Sequence, residues 1–526
     1  MAPQEAVPRA LQPDEVPTPE VVAESVNGSG APAALAAHDQ APYLTALREY
    51  AGRSPGRYHV PGHKGGAGTD GELREALGAG ALELDLPLIT HGVDVGSDYS
   101  PMEHAIDLAA QAWGAARTWF LSNGATQGNH AIALALAGLG QDVVVQRNVH
   151  ASTIDGLVLA GLRPTWVAPE LNPDLGIAHC LTPEVLEITL ADSPNAVAVM
   201  VVSPTYYGAV ADIRGLARVA HEWGVPLIVD EAWGSHFPFH EALPEHALAA
   251  GANLVLSGTH KLVGSLAQSA MLHMGSETHG GLDAQTIERA LTLVSSTSPS
   301  SLLLASLDAA RRNAMLNGRD VVEESITELA RTRDRIRDIP GLEVLDERLR
   351  RHPGVYDYDP IRLAIDVRGT GASGYELAVA MREDSDVHLE LRGESMLVMV
   401  FGLTEPATES CERLVEALAT GVERVSRKVR GRRAQPIGPP PRWGPLAMTP
   451  REAFLGPQES VPIDAAVGRV AAESVASYPP GIPNVFPGER LTRPTLRYIQ
   501  RTIDQGGYVR GLSDRSMHTI RVAMED

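Results

Sequence analysis

Between residues 100 and 275, short apolar runs alternate with helical stretches, and no other feature of the chain restricts its fold as much. The runs lie near 117–121 (RTWFL), 142–146 (DVVVQ), 196–202 (AVAVMVV), 225–229 (VPLIV) and 253–257 (NLVLS), with an Ala/Leu-rich helix predicted over 127–139 after the first. This alternation predicts an α/β domain built on a mostly parallel sheet. In open sheets of that type, ligands collect outside the carboxyl ends of the strands. Gly124, Thr126, His150, Ser203, Asp230 and Lys261 each fall just after a predicted strand, which places the candidate site.

Two of these strand ends carry paired chemistry. The stretch NLVLSGTHK (253–261) delivers His260 and Lys261 to a turn directly after an apolar strand. Schiff-base chemistry needs an uncharged amine, so such a lysine must sit where burial or neighbouring positive charge lowers its pKa. A turn lysine is ordinarily solvated; the apolar strand before it and the adjacent His260 argue otherwise here. Asp230 ends the strand VPLIVD. An acid there often caps the next helix, but beside a pyridine nitrogen it would keep the ring protonated. A protonated pyridine ring accepts the electrons left on a substrate carbon when a bond to it breaks, and the two residues together suggest a pyridoxal phosphate enzyme.

Three further segments bear on the same site. Ser122 to Gly128 (SNGATQG) lies between a strand and a helix, where backbone amides and the helix N-terminus suit a phosphate and Thr126 adds a hydroxyl; a plain strand-to-helix turn is the other reading. His150 follows a strand and suits stacking on a planar cofactor, or it is a polar loop histidine. His59 and His63 have metal-like spacing, but Pro61 and Gly62 between them oppose the helix that would put both on one face, and no metal site is expected.

The chain of 526 residues is long enough for several domains. Residues 1–40 are rich in Ala, Pro and Glu and read as a disordered tail. A major cofactor-binding domain is expected over 41–335, including most of a long helical region at 303–338. A small α+β domain follows over 336–430, with strands at 361–367 and 396–401, then a Pro-rich linker at 431–445 and a C-terminal domain at 446–526. In the last, the prolines of Tyr478 to Pro483 are read as excluding regular structure. A net charge of -21 argues against a nucleic-acid surface and is compatible with cationic small molecules. The two cysteines, Cys180 and Cys411, form no metal-ligand or disulfide pattern. With neither a bilayer-length apolar run nor a secretory signal, a soluble cytoplasmic protein that binds no membrane is expected.

Eight segments carry a resemblance to a known family: HVPGHKGG (59–66), SNGATQGN (122–129), RNVHAS (147–152), SPTYYG (203–208), DEAWGSH (230–236), THK (259–261), STSPSS (296–301) and YPPGIPNVFPGE (478–489). In this order they resemble the pyridoxal phosphate-dependent ornithine/lysine/arginine decarboxylases of the aspartate-aminotransferase fold, fold type I. The resemblance implies that Lys261 forms the Schiff base, Asp230 pairs with the ring nitrogen, His150 stacks on the ring and His260 lies beside the lysine. It implies that Gly124, Ala125 and Thr126 hold the phosphate, with Ser203, Trp233 and Ser257 also against the cofactor. It further implies a homodimer or higher homo-oligomer with shared sites, in which Ser296, Thr297 and Ser298 reach a neighbour's cofactor and Glu489 helps line the substrate entrance. The implied reaction is decarboxylation of arginine, lysine or ornithine in polyamine biosynthesis. Three positions depart from the pattern: Gly258 replaces a serine that usually touches phosphate, though Ser257 adjoins it; Trp233 stands where histidine is frequent; and Ala151 stands where lysine is usual. Transamination or another α-carbon reaction, and a non-catalytic protein on the same fold, are the alternatives.

Overall fold

In the computed structural model, which describes residues 37–88, 90, 93, 100–403, 407–428, 441–478 and 482–525, a seven-stranded sheet organises the major domain. Its strands are β1 (Arg117–Leu121), β2 (Asp142–Gln146), β3 (Arg163–Val167), β4 (Ala196–Val202), β5 (Leu227–Asp230), β6 (Leu254–Ser257) and β7 (Ala270–Met274), in the order β1-β7-β6-β5-β4-β2-β3. Only β7 runs against the others. Alternate residues of the central strands feed opposite clusters. Val144, Val199, Val201, Val229 and Val255 pack on one face, and Val143, Val145, Met200, Ile228 and Leu256 on the other. With both faces covered, these strands have to read as continuous apolar runs.

Helix α1 (Gly124–Ala137) leaves the end of β1 and lies close on the sheet. A Cβ on Gly128 would come within 2.3 Å of Leu256 Cδ1, so this close approach requires glycine. Helix α2 (Ala151–Ala160) follows β2 and packs beside α1. Helix α3 (Ser301–Arg337) spans 37 residues and leads to a second sheet. Its Val322, Leu329 and Ile336 share a core with Leu363, Ile365 and Leu397 of a four-stranded antiparallel sheet, β8 (Glu343–Val344), β9 (Leu363–Asp366), β10 (Leu391–Arg392) and β11 (Met396–Met399), in the order β8-β9-β11-β10.

Two sequence expectations need correction. The fold reaches back before residue 41: His38 is buried, and its carbonyl accepts a 2.9 Å hydrogen bond from Nη1 of buried Arg311. Arg311 Nη2 in turn holds Asp308 at 2.8 Å, whose other oxygen accepts the Tyr43 N–H at 3.0 Å. That polar anchor was invisible in a proline-rich stretch. Residues 1–36 of the tail expected over 1–40, and most of the linker, lie outside the described residues.

The second correction concerns Pro483; Pro479 and Pro480 of the same stretch lie outside the described residues. Strands β12 (Val475–Tyr478), β13 (Ile482–Val485) and β14 (Tyr508–Arg510) form a sheet in the order β13-β12-β14, with Pro483 inside β13 opposite Ala476. Regular structure survives because β13 is an edge strand, where a missing N–H breaks no ladder. Among the described residues, no helix is long and apolar enough to cross a membrane.

Candidate active site

Strand register sets the floor of the site. Asp230, the last residue of β5, lies opposite Val202 of β4 and Leu256 of β6. Ser203 and Ser257, one residue further along those neighbours, therefore come to the same level at the carboxyl edge. The Ser203 N–H donates to the Asp230 carbonyl at 3.2 Å, but the Ser203 hydroxyl accepts the Ala211 N–H at 3.0 Å. Ser257 Oγ is fully buried and has no hydrogen-bond partner.

Lys261 sits in the single helical turn Thr259–Leu262 after β6. Its Nζ lies 4.2 Å from the centre of the Trp233 ring. Burial pushes the amine down to about 8 from an ordinary 10.5, a shift opposed by the charges of Asp230 and Glu390 and assisted by Arg362. Beside it, His260 Nδ1 donates to the Ser269 carbonyl at 2.7 Å, since a carbonyl can only accept. The neutral ring therefore keeps its lone pair on Nε2. Burial chiefly, and the Lys261 charge secondarily, lower its pKa.

Asp230 is oriented by two donors: the Ala232 N–H at 3.1 Å and Asn129 Nδ2 at 3.2 Å. Asn129, buried on α1, gives its other amide proton to Ser152 Oγ at 3.0 Å. Ser152 then donates to His150 Nδ1 at 2.9 Å, and its backbone N–H reaches the same nitrogen at 3.2 Å. With Nδ1 accepting twice, the neutral imidazole carries its proton on Nε2. Burial takes His150 down to about 4, against the pull of Asp230, so the ring is uncharged at neutral pH. One chain of hydrogen bonds thus links the candidate stacking histidine to the candidate ring-nitrogen partner.

At the start of α1, Gly124 is buried with φ +71°, and Ala125 and Thr126 are half-buried. Gln127 braces this turn: its Oε1 accepts the Asn123 N–H at 3.0 Å and its Nε2 donates to Ser295 Oγ at 2.7 Å. The adjoining Ser296, Thr297 and Ser298 are exposed on the single chain, the first and last joined by the Ser298 N–H to Ser296 Oγ bond of 3.1 Å.

Gly258 has a steric reason. A Cβ there would stand 2.7 Å from the Ala232 carbonyl and 3.2 Å from Lys261 Cδ, so the serine common at this position does not fit this backbone. Trp233 is buried, with Tyr206 5.3 Å away ring to ring and the Arg362 guanidinium 4.8 Å from its centre. Arg362 also donates to the Trp233 carbonyl at 3.0 Å.

Glu489, which the resemblance implies near the substrate entrance, is held by partners within the chain. It is buried; Oε2 meets Arg147 Nη2 at 3.0 Å and accepts the Phe486 N–H at 3.1 Å. Burial raises its pKa more than the Arg147 charge lowers it. Arg147 also donates to the Pro483 carbonyl at 2.8 Å, tying the end of β2 to the C-terminal sheet. His59 and His63 turn to separate partners, Tyr50 at 3.0 Å and Asp85 at 3.0 Å.

Sequence reasoning assigned no role to Asn129, Ser152, Arg362 or Glu390. The first two stand in segments already singled out, and the signal for Asn129 was a polar side chain in an Ala/Leu-rich helix. Arg362 and Glu390 reach the site from beyond the long helix α3, with no local pattern to mark them.

Comparison with known proteins gives a consistent result. Residues 41–408 match the Orn/Lys/Arg decarboxylase major domain, and 444–513 the C-terminal domain of the same family. Among similar relatives, the arginine decarboxylase of Bacillus subtilis is 36% identical over 92% of this chain and 98% of its own length. That of Halalkalibacterium halodurans is 36% identical over 93% and 99%. The crystal structure of the Francisella novicida lysine decarboxylase LdcF shares the fold with a TM-score of 0.77 at 19% identity, covering 92% of this chain and 81% of that one.

Proposed function

The chain belongs to the Orn/Lys/Arg decarboxylase family, as a pyridoxal phosphate-dependent carboxy-lyase acting on a basic amino acid, and we propose that its substrate is arginine, converted to agmatine and carbon dioxide. The higher similarity to relatives named arginine decarboxylases, at 36% identity against 22–25% for those named lysine decarboxylases, supports this choice. The reaction itself rests on one observation: a buried amine held down to about 8, next to an oriented carboxylate and an uncharged imidazole.

The residues present fit the cofactor. Ser257 Oγ and Trp233 Nε1 are buried polar atoms without partners, available to a phosphate or ring substituent. Gly124, Ala125, Thr126 and Ser257 would hold the phosphate, Asp230 the ring nitrogen and His150 one face, with Lys261 as the covalent link and Trp233 at the margin. Ser203 supports Asp230 through its backbone, its hydroxyl being committed to Ala211. When bound, pyridoxal phosphate supplies the sink for the electron pair left on the α-carbon as carbon dioxide departs.

The protein contributes orientation and proton placement. Asn129 and the Ala232 N–H fix the Asp230 carboxylate without neutralising it. Ser152 keeps the His150 proton on Nε2. Lys261 Nζ is the group placed to return a proton to the α-carbon, and the His260 Nε2 lone pair beside it can only accept one. Trp233 and Tyr206 exclude water from the lysine side. Glu390, an exposed carboxylate whose charge acts on both His260 and Lys261, is suited to the substrate's cationic end.

The exposed hydroxyls of Ser296, Thr297 and Ser298 support a homodimer in which this loop completes the neighbour's site. Two free, buried cysteines fit a reducing cytoplasm. The test incubates purified protein and pyridoxal phosphate with arginine, lysine and ornithine separately and identifies the products. Agmatine from arginine is expected, and Lys261→Ala abolishes it. A keto acid in place of an amine overturns decarboxylation, and cadaverine or putrescine as the main product overturns the substrate choice.

A further inference from the structure

A second cavity, of about 630 Å³, lies between the major and C-terminal domains. That volume falls in the range of small-molecule sites. Its lining is mostly apolar and includes five aromatic residues, Trp166, Tyr206, Tyr207, Trp443 and Tyr498. Although the chain carries a net charge of -21, the residues lining this cavity include two arginines, Arg147 and Arg442, and no acid. A cationic amino acid or its amine product has nothing to pair with there.

Two buried donors in the lining lack acceptors: Arg147 Nε and Trp166 Nε1. Arg147 is only 6% exposed, and its pair with Glu489 uses Nη2, leaving Nε unanswered. A buried donor is costly to leave unpaired unless something accepts from it. The Arg147 guanidinium lies 5.1 Å from the centre of the Trp443 ring, next in sequence to the exposed Arg442. Among the described residues Arg442 has no ion-pair partner. Aromatic side chains, orphaned donors and a guanidinium that no described residue pairs converge on one ligand chemistry.

We propose that this cavity binds a small molecule with a flat aromatic ring and a single anionic group, the ring against the tryptophan and tyrosine walls and the anion answered by Arg442 and the free N–H groups of Arg147 and Trp166. The site is independent of the choice of amino-acid substrate. It adjoins the catalytic region through Tyr206, which packs on Trp233, and through Asn148, two residues before His150.

Calorimetric titration of the holoenzyme tests this with 2-naphthoate, adenosine monophosphate and the uncharged naphthalene-2-carboxamide. At least one of the two anions binds once per chain, and the carboxamide binds at least about tenfold more weakly than naphthoate. If naphthoate is the tighter anion the source is an aromatic carboxylate; if adenosine monophosphate is, it is a nucleotide phosphate. Arg442→Glu, at an exposed position, weakens the bound anion about five- to tenfold. Ala178→Trp fills the cavity and abolishes binding while thermal melting shows the protein folded. The proposal is overturned if neither anion binds, if the carboxamide binds as well as naphthoate when naphthoate is the tighter anion, or if both variants bind like the parent protein.

Discussion

Lys261 is one of three lysines in the whole chain, with Lys64 and Lys428, so its titration can be followed by itself. In the cofactor-free protein the amine is held at about 8, where an ordinary lysine has 10.5. At pH 7 that difference raises the uncharged fraction about 300-fold over a free lysine side chain. Trace acetylation with limiting reagent across pH 6–11, followed by mass spectrometry of the three lysine peptides against an added model peptide, reads that fraction directly. Lys261 should reach half its limiting reactivity near pH 8. Glu390→Gln removes a charge that raises the pKa and should lower the midpoint by less than about one unit, because that carboxylate is exposed. Asp230→Asn removes the larger opposing charge and should lower it further. A midpoint above about 10, or one that neither substitution moves, would refute the claim that this pocket prepares the amine.

The same shift has a stability sign. The native amine loses its proton near 8 and the unfolded one near 10.5, so burial penalises the native state fully below pH 8 and the penalty fades as pH rises towards 10.5. Lys261→Met should therefore raise the melting temperature of the cofactor-free protein at pH 7, with a gain that shrinks across that window. Asn129→Leu deprives Asp230 and Ser152 of a donor and should lower kcat/KM about 10- to 100-fold in steady-state assays, with cofactor absorbance showing whether binding is retained. Ser257→Ala should weaken cofactor binding about tenfold in equilibrium dialysis without lowering the melting temperature of the cofactor-free protein, since Oγ bonds nothing there. Arg147→Met leaves the Glu489 carboxylate buried alone and should destabilise by about 3 kcal/mol or more, visible as a lower melting temperature that Glu489→Gln in the same chain partly restores.

Strand ends were legible because the central strands are covered on both faces and so stand out as unbroken apolar runs. Asp230 and Lys261 could be paired from sequence because each follows such a run; register then places them together. What stayed hidden depends on distance along the chain. Arg362 meets Trp233 across 129 residues and Glu489 meets Arg147 across 342, contacts no local period records. A family motif gives the presence of Glu489 without its partner, and here a buried guanidinium claims the carboxylate. Pro483 misled for another reason: proline opposes strands in general, yet an edge strand has no use for the donor it lacks. The glycine at 258 read as a departure and turned out to be a space requirement set by the Ala232 carbonyl.

Arg147 stands three positions upstream of His150, and its guanidinium is gripped by Pro483, Asn484 and Glu489. The last eighty or so residues therefore act as a splint on the strand end that aims the imidazole, rather than as a detachable appendage. Cutting the chain after residue 428 would leave Arg147 without its carboxylate and free the segment that follows it, so a shortened protein should fail as a catalyst even though Lys261, His260, Asp230 and His150 are all still present.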